Sequence, residues 1–311
     1  MSKYLVTGGA GFIGSHIVET LVKRGQKVRV LDNFCSGKIK NIKPFLNKIK
    51  LIKGDIRSPE TCLRATKGID FVLHQAALRS VPKSMLDPHE YNEVNINGTL
   101  NMLEASKKNK VKSFVFASSS SIYGDAIKFP EKEGCYPLLI SPYALSKLAG
   151  EHYCKIFSYH YGLPTACLRY FNVFGPRQAV DDEYAVVVPK FISCMLKNEH
   201  PPIYGTGKQS RDFTFVANVV EANLLAAKNT KLMGDVFNVA SGSGYTILEL
   251  VKILNKIMRK NIRPVFKPIR PGDVFRTLAG LSKSREFLGF NPKVKFIEGL
   301  QITVKYFKEN A

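Results

Sequence analysis

The sequence predicts an α/β protein whose parallel sheet is covered by helices on both faces. Through the first half of the chain, short apolar runs rich in β-branched residues alternate with segments of helical periodicity. The runs are continuously apolar, as expected for strands that are buried on both sides. A glycine-rich loop also joins the first run to the first helical segment, which is typical of doubly wound sheets.

The order of the elements follows from these patterns. Strands are predicted, in chain order, for the segments KYLVTGG, KVRVLDN, IKLIKGDI, IDFVLHQAA, SFVFASSS and TACLRYFNVFG. Helices are expected between them, first over SHIVETLVKRG and then near 59–67, 90–109 and 142–160.

The pattern is less regular after about residue 172. VVPKFISCMLKN predicts a helix, and PPIYGTG and RDFTFVANVVEANLLAAK predict a loop, a strand and a helix. DVFNVA predicts a strand that rejoins the sheet, and TILELVKILNKIMRK an amphipathic helix. We therefore expect a Rossmann-type doubly wound sheet over 1–171 plus about 213–241, and a smaller carboxyl-terminal α/β substrate region over 172–212 plus 242–311.

Size and composition are those of a globular protein without membrane insertion. The 311 residues suffice for one large domain or two that share a border, and no apolar run approaches the ~20 residues that cross a bilayer. The amino terminus lacks the chemistry of a signal peptide, so a cytoplasmic location is predicted. The six cysteines form no C-x-x-C pair, so neither a metal site nor a disulfide framework is expected.

The formal net charge is +21. The lysines are spread along the chain, and in the densest patch, residues 37–54, they alternate with apolar residues as on the solvated faces of amphipathic elements. No aromatic stacking platform or groove-reading motif accompanies the patch, so specific binding of nucleic acid is not expected. An anionic substrate would benefit from the same positive field.

The glycine loop VTGGAGFIGSH predicts a dinucleotide site. Glycines allow the backbone to turn tightly and to approach a pyrophosphate, whose charge is stabilised by the helix amino terminus that follows. Asp32 ends the second strand, 18 residues beyond Gly14. An acid there accepts ribose hydroxyls and repels a 2′-phosphate, which favours NAD over NADP.

Tyr143 and Lys147 are candidates for acid–base chemistry. They lie four residues apart in SPYALSKLAGE and share one face of a helix. A phenol with an ordinary pKa of about 10 is a poor base at neutral pH, but a nearby ammonium and an oxidised nicotinamide favour its ionised form. Upstream, the run of four serines from Ser118 ends a buried strand and offers hydroxyls.

These motifs together resemble those of the extended short-chain dehydrogenases/reductases, in the branch of nucleotide-sugar epimerases and dehydratases. The resemblance covers nearly the whole chain, because TGGAGFIGSH, DNFCSGK, HQAA, NINGT, SSSSIYGD, SPYALSK, LRYFNVFGPRQ, RDFTFV and RPGDVFRT stand in family order. It implies that Ser119, four residues before Tyr123, hydrogen-bonds the sugar oxygen, with Tyr143 and Lys147 as its catalytic partners. The serine run is then part of the site rather than a linker.

The resemblance also implies the residues that bind NAD. They are Gly8, Gly11, Phe12, Ile13, Gly14, Asp32, Asn33, Ser36, Gly37, Asp55, Ile56, Gln75, Ala76, Ala77, Asn95, Tyr143, Lys147, Tyr170 and Phe171.

Epimerisation is the expected outcome among the reactions of this family. Its members begin by oxidising the sugar, with the tyrosine taking the hydroxyl proton. Dehydrating relatives carry an acid pair at the strand end, and decarboxylating relatives usually carry a glutamate where this chain has Ser121. Since positions 119–121 are all serine, the ketose is expected to turn over and take back the hydride on its other face.

For the substrate, the resemblance implies a UDP-sugar. Its expected contacts are Ser80, Ser119, Asn172, Val187, Val188, Tyr204, Arg211, Arg270, Asp273 and Thr277. In the family a bulky tyrosine at the position of Thr277 excludes an N-acetyl group, so threonine leaves room for one. We therefore expect interconversion of UDP-GlcNAc and UDP-GalNAc, with UDP-glucose and UDP-galactose also accepted. A uronate substrate is the alternative, because Arg79 and the excess positive charge would suit an extra carboxylate.

Two further expectations concern assembly and an alternative class. The resemblance implies a homodimer built from helices near 90–109 and 143–160. A non-catalytic NAD-binding or sensor protein could share the fold, but the intact set of Ser119, Tyr143 and Lys147 argues for an enzyme.

Overall fold

The protein is described by a computed structural model that covers residues 1–180, 187–269 and 274–310. The strands are β1 (Lys3–Thr7), β2 (Lys27–Asp32), β3 (Ile49–Lys53), β4 (Phe71–His74), β5 (Ser113–Ser119), β6 (Thr165–Tyr170), β7 (Val173–Phe174), β8 (Pro202–Tyr204), β9 (Ser210–Asp212), β10 (Thr214–Phe215), β11 (Met233–Val239), β12 (Gly244–Thr246) and β13 (Val265–Lys267). The α-helices are α1 (Phe12–Lys23), α2 (Pro59–Thr66), α3 (Val81–Leu86), α4 (Pro88–Tyr91), α5 (Gly98–Lys108), α6 (Pro142–Tyr161), α7 (Val187–Leu196), α8 (Val216–Lys228), α9 (Ile247–Met258), α10 (Ser282–Leu288) and α11 (Phe296–Glu309).

A seven-stranded sheet forms the centre of the molecule. Its strand order is β3-β2-β1-β4-β5-β6-β11, and every pairing is parallel. Strand β11 joins the edge of the sheet beside β6, as predicted for the segment DVFNVA. The predicted fold class, a Rossmann-type parallel α/β sheet, is confirmed.

Helices cover both faces of this sheet because successive side chains of a strand point to opposite sides. Val6 belongs to an apolar cluster that includes Ile17 of α1 and Val219 of α8. The preceding residue, Leu5, belongs to the cluster on the other face, which includes Phe157 of α6. The continuous apolar character of the strands therefore serves two cores at once.

Local capping chemistry sets where helix α6 begins and ends. The Ser141 side chain accepts a hydrogen bond from the backbone N–H of Ala144 at 3.1 Å, and Pro142 occupies the first turn. Gly162 ends the helix in the left-handed conformation. Tyr143 is thereby placed in the first turn, next to the sheet edge.

The segment predicted as one helix near 90–109 is divided in the structure. A π-helical turn over Asn92–Asn97 separates α4 from α5. Within it the Asn95 side chain bonds the backbone O and N of Leu78, at 2.9 and 2.8 Å, and the Ser146 hydroxyl at 3.0 Å. Such turns are rare and are often found beside functional sites.

The carboxyl-terminal part is built from short paired strands and helices around its own apolar cluster. β7 pairs with β10, β12 with β9 and β13 with β8. The cluster contains five buried phenylalanines, and Phe213 stacks on Phe296 with ring centres 5.0 Å apart. Strand β8 lies within PPIYGTG, which was predicted as a loop. Among the described residues, no helix combines the length and apolar character needed to cross a bilayer.

Candidate active site

A cavity lies at the carboxyl ends of strands β1, β2, β4, β5 and β6. This edge is where ligands bind in open parallel sheets. Of the nineteen residues predicted to bind the cofactor, seventeen line this cavity. They are Gly8, Gly11, Phe12, Ile13, Gly14, Asp32, Asn33, Ser36, Gly37, Asp55, Ile56, Gln75, Ala76, Ala77, Tyr143, Lys147 and Tyr170.

Two predicted cofactor residues are not among the residues that line the cavity. Asn95 is almost fully buried and holds the backbone of Leu78, which does line it. Phe171 is fully buried and packs with Tyr123 and Ala240.

The glycine loop after β1 forms a cradle that leaves no room for a side chain at Gly8 or Gly14. Gly8 has φ +64°, and a Cβ on Gly14 would lie only 2.1 Å from the Gly8 carbonyl oxygen. The Gly11 N–H donates to that same oxygen at 3.0 Å. Helix α1 begins at Phe12 with no side chain capping its first turn. These backbone groups fit the diphosphate of a dinucleotide.

Asp32 lies at the end of β2 beside this loop. Its carboxylate accepts backbone N–H bonds from Ala10 and Phe34, both at 2.8 Å. Burial raises the pKa of Asp32, and the two N–H bonds oppose that rise. A Cβ on Gly37 would lie 2.9 Å from its Oδ1, so glycine there keeps the carboxylate accessible.

A second acid, Asp55, is held in place by Arg57. The Arg57 Nη2 donates to Asp55 Oδ2 at 2.8 Å, and its Nε donates to Oδ1 at 3.1 Å. These bonds lower the pKa of Asp55 to about 2. The Asn33 amide donates to the same carboxylate at 2.8 Å, which ties the end of β2 to the loop after β3. Arg57 also lines the cavity and was missed by the sequence analysis.

A buried hydrogen-bond network lies under the middle of the cavity. The Gln75 amide donates to the Tyr170 hydroxyl at 3.1 Å and to Asn223 Oδ1 at 3.0 Å. The Asn223 amide in turn donates to the Tyr170 hydroxyl at 2.8 Å. Burial raises the pKa of Tyr170, so the phenol is neutral. Asn223 of α8 was not predicted, because nothing in its helical context distinguishes it.

Tyr143, Lys147 and Ser119 lie close together at the carboxyl end of strand β5. The Ser119 side chain lies near enough to the Tyr143 phenol to lower its pKa. The Lys147 Nζ donates to the Ala117 carbonyl oxygen at 2.9 Å and lies 5.9 Å from the centre of the Tyr143 ring. Ser119 also accepts from the Ser121 hydroxyl at 2.9 Å. The three side chains predicted to act together are therefore neighbours.

The protonation of this group depends mainly on burial. Burial raises the pKa of Tyr143, while the nearby Ser119 side chain and the positive charge of Arg79 lower it. Burial lowers the pKa of Lys147 to about 7. Arg79 lines the cavity as well, although its side chain is exposed.

The predicted sugar-side residues come from several separate elements. Asn172, with φ +34°, donates from its amide to Thr277 Oγ1 at 3.0 Å and to the Asp212 carbonyl oxygen at 3.3 Å. Thr277 is buried and also accepts from the Asp212 N–H at 3.1 Å. Arg211 donates to the carbonyl oxygens of Ser210 and Phe275, at 2.9 and 3.2 Å.

The remaining predicted sugar contacts are less tightly grouped. Ser80 caps α3 by accepting from the Lys83 N–H at 3.3 Å. Val188 is buried in the aromatic-rich cluster, with Val187 packed against that cluster. Tyr204 ends β8 and is half-buried. Arg270 and Asp273 lie outside the described residues.

A scan against family models matches residues 4–240 to the NAD dependent epimerase/dehydratase family. The chain belongs to this family. The predictions of the family, of an isomerase and of NAD as its cofactor are confirmed.

Three relatives illustrate the range of activities in the family. The chain is 42% identical to the UDP-N-acetylglucosamine 4-epimerase of Methanobrevibacter ruminantium, solved with UDP-N-acetylmuramic acid, with a TM-score of 0.95 over 100% of this chain and 99% of the other. It is 40% identical to the UDP-glucose 4-epimerase of Thermotoga maritima, solved with UDP-glucose, with a TM-score of 0.93 and 99% of each chain covered. A UDP-N-acetyl-α-D-glucosaminuronate decarboxylase of Bacillus cytotoxicus is 35% identical, with 98% and 97% covered.

In this epimerase/dehydratase chain, a buried ion pair supports the strand end that carries the serines. The Arg169 Nη2 donates to Glu151 Oε2 at 2.7 Å and its Nε donates to Oε1 at 2.9 Å, while the Ser118 hydroxyl donates to Oε1 at 2.5 Å. Glu151 follows Lys147 by four residues on α6. This pair was not predicted, because nothing in the sequence around Glu151 indicates Arg169 as its partner.

Proposed function

We propose that this chain is a UDP-sugar 4-epimerase that interconverts UDP-GlcNAc and UDP-GalNAc and also accepts UDP-glucose and UDP-galactose. The observation that carries the proposal is the Tyr143 phenol, which lines the cavity beside buried Lys147 and has the Ser119 side chain near it. A phenol so placed can exchange a proton with a sugar hydroxyl. The named activities of the relatives support the same reaction.

The cradle residues fit NAD. The glycine loop would hold the pyrophosphate at the uncapped amino terminus of α1, and Asp32 would accept the ribose hydroxyls. The other predicted cofactor residues would line the remainder of the site. NAD supplies a hydride acceptor for the sugar carbon and returns the hydride later. A side chain at Gly8 or Gly14 would collide with backbone atoms of the loop or of its neighbour.

The proton is handled by Tyr143. Its phenolate form would take the proton of the sugar hydroxyl, which Ser119 would hold by a hydrogen bond. A positive charge on Lys147 favours the phenolate, and the bond to the Ala117 carbonyl keeps the ammonium on the correct side of the helix. After the sugar has turned over, Tyr143 would return the same proton to the sugar oxygen. No second acid would then be needed.

The residues around the carboxyl end of β5 favour epimerisation over elimination or decarboxylation. Ser119 and Ser121 offer hydroxyls only. Glu151, which contacts the same strand through Ser118, is bound by the Arg169 guanidinium and almost completely buried. The Arg169 charge therefore balances the charge of the Glu151 carboxylate, which does not serve as the acid that elimination or decarboxylation needs.

Acceptance of an N-acetyl group is supported by the arrangement around Thr277. The side chain is small and its hydroxyl is turned to Asn172 and the Asp212 N–H.

A second candidate substrate is a UDP-hexuronate or a UDP-HexNAc uronate, and Arg79 is the observation that favours it. Its guanidinium lines the cavity that contains Tyr143 and lowers the pKa of that phenol, which indicates that the two are near each other. No ion pair among the described residues involves Arg79. Its charge would suit a carboxylate on the sugar.

Three further parts of the proposal concern organisation. We propose that residues 1–171 plus about 213–241 bind NAD and that 172–212 plus 242–311 bind the nucleotide-sugar. We propose a homodimer through the helices near 90–109 and 143–160, and the exposed Leu145, Ile156 and Tyr159 on α6 support that choice of surface. A cytoplasmic location stays a prediction.

The experiment is to incubate the purified protein with UDP-GlcNAc, UDP-glucose and UDP-glucuronate in separate reactions, without added cofactor, and to detect the C4 epimer of each by NMR. Conversion of UDP-GlcNAc, with slower or equal conversion of UDP-glucose, is expected. Conversion of UDP-glucuronate alone would select the second candidate. Failure with all three, with NAD still bound, would leave a non-catalytic NAD-binding protein.

A further inference from the structure

Residues 277–280 are held mostly by one buried glutamate. Glu131 Oε2 accepts the Leu278 N–H at 2.8 Å, and the Glu131 backbone N–H donates to the Leu278 carbonyl oxygen at 2.7 Å. The Gly280 N–H then donates to the Glu131 carbonyl oxygen at 2.7 Å. Glu131 therefore bonds this segment with its side chain and with both of its backbone groups. It is 1% exposed.

A second buried carboxylate holds the residue between these bonds. Asp212 Oδ2 accepts the Ala279 N–H at 3.2 Å, and its Oδ1 accepts the Ser241 hydroxyl at 2.7 Å. The backbone N–H of Asp212 donates to the Thr277 hydroxyl at 3.1 Å. Consecutive amides of the segment are thus bound alternately by Glu131 and Asp212. We call Glu131, Asp212 and residues 277–280 the clamp.

Holding a short segment with two buried carboxylates is energetically unfavourable unless their charges are compensated. Burying a carboxylate costs free energy unless its oxygens are bonded or its charge is neutralised. Among the described residues, Glu131 Oε1 is buried and has no hydrogen-bond partner. Burial raises the pKa of Glu131 to about 7; the Leu278 N–H and the charges of Arg211 and Arg276 lower it, and the charge of Asp212 raises it. A glutamine could accept the same Leu278 N–H without placing a charge in the interior.

The clamp positions Thr277. This residue lies immediately before Leu278, and its hydroxyl accepts the Asn172 amide at 3.0 Å. Asn172 has a left-handed backbone, φ +34°, which is uncommon for a residue other than glycine and needs support from its surroundings. A shift of the clamp would therefore move both the Thr277 side chain and the Asn172 amide.

We infer that Glu131 is a positioning residue that fixes the sugar-facing wall at Thr277 and so helps the enzyme to choose between N-acetylated and plain hexoses. The inference deepens the proposed function and rests on it, because Thr277 faces the sugar only if the chain binds a UDP-sugar as proposed. Glu131 acts through Leu278 and Thr277 and is not itself catalytic.

The test compares Glu131→Ala, Glu131→Gln and the matched control Glu133→Gln. Glu133 lies in the same loop and bonds the Asn238 N–H at 2.8 Å rather than residues 277–280. For each variant, kcat and KM are measured with UDP-GlcNAc and with UDP-glucose. We expect Glu131→Ala to change the ratio of the two kcat/KM values by about tenfold, mainly through KM. Glutamine keeps an acceptor for the Leu278 N–H and should restore the ratio to within about twofold of the wild type.

Equal ratios in wild type and Glu131→Ala would overturn the inference, as would a ratio changed equally by Glu133→Gln. If Glu131→Ala does not fold, Glu131→Asp, whose carboxylate falls one methylene short, replaces it with the same expectation. Hydrogen exchange of the wild-type protein gives an independent result. Protected amides at Leu278 and Gly280 are expected, and exchange as fast as that of exposed loops would contradict the clamp.

Failure of the proposed function gives a different result. In that case the wild type converts none of the UDP-sugars, while amide protection in the clamp is still observed. A change in the ratio of kcat/KM for UDP-GlcNAc to that for UDP-glucose therefore tests the role of Glu131. Absence of all conversion by the wild type tests the proposed function.

Discussion

The sheet side of the molecule and the side of the clamp are held in place by different means. On the sheet side, the predicted cofactor residues follow the ends of long parallel strands, so the ladder of backbone bonds places them. On the side of the clamp the strands have two or three residues, and side-chain carboxylates bond backbone amides from distant parts of the sequence. A regular ladder needs no particular side chain, whereas the clamp depends on two of them.

This difference implies that changes on the sheet side affect chemistry or global stability, while changes at the clamp affect which substrate is accepted. The following predictions test that division, starting with the largest effect.

Replacing the phenol should abolish the reaction without loosening the sheet side. We expect Tyr143→Phe to lower kcat by about 10³-fold or more, because the group that exchanges the proton is removed. NAD content, measured by absorbance after denaturation, should be unchanged. The matched control is Tyr161→Phe at the end of the same helix, since Tyr161 is 50% exposed. Normal turnover by Tyr143→Phe would remove the assigned role.

The buried ion pair beneath the serine strand should matter for global stability. Arg169 and Glu151 have side chains that are 4% and 5% exposed. Glu151→Gln leaves the guanidinium without its charge partner, so we expect the free energy of unfolding to fall by about 3 kcal/mol. Chemical denaturation provides the measurement.

The control for that change is an exposed pair. Lys305 and Glu309 lie 4.0 Å apart on the surface of α11. Glu309→Gln should alter the free energy of unfolding by less than about 0.5 kcal/mol, because solvent screens the pair. Equal losses in the two variants would show that burial is not what makes the Glu151 pair important.

The two sides should also differ in how their stability depends on pH, because the pKa shifts of His74 and Glu131 have opposite signs. Burial on the sheet side lowers the pKa of His74 to about 3. Between that value and the ordinary 6.5 the unfolded chain binds the proton and the folded chain does not. Stability from this group is therefore lost as the pH falls through that window.

Glu131 of the clamp behaves in the opposite way. Its pKa rises from the ordinary 4.5 to about 7, so the folded chain binds the proton where the unfolded chain has lost it. Stability from this group is lost as the pH rises through that window. The melting temperature of His74→Gln, relative to wild type, should rise toward acid pH, and that of Glu131→Gln should rise toward pH 7. Parallel curves for the variants and the wild type would contradict both assignments.

Much of the sheet side could be predicted from local patterns. Continuous apolar runs indicate strands buried on two faces, as Leu5 and Val6 show by pointing to opposite cores. Glycines at the first turn indicate a backbone that must bend closely, and Gly14 leaves no room for a Cβ. The spacing of Tyr143 and Lys147 places both on one helical face. Each of these signals depends on residues that are neighbours along the chain.

The bonds between distant parts of the chain could not be predicted in that way. The Glu131 carboxylate meets an amide 147 residues further on, and the Asn172 amide meets a hydroxyl 105 residues away. Nothing in the sequence around either residue indicates its partner. The same holds for Asn223, whose bonds to Gln75 and Tyr170 form only when helix α8 packs on the sheet.

By itself the sequence determined the parallel α/β fold, the glycine cradle and the tyrosine–lysine helix, because strand burial, tight turns and helical spacing are local properties of the chain. Only the tertiary structure decided which carboxylates become buried, which amides they hold and how Arg169 neutralises Glu151. These bonds join segments that are far apart in sequence, and their free energy depends on the low polarity that exists only after the chain has packed.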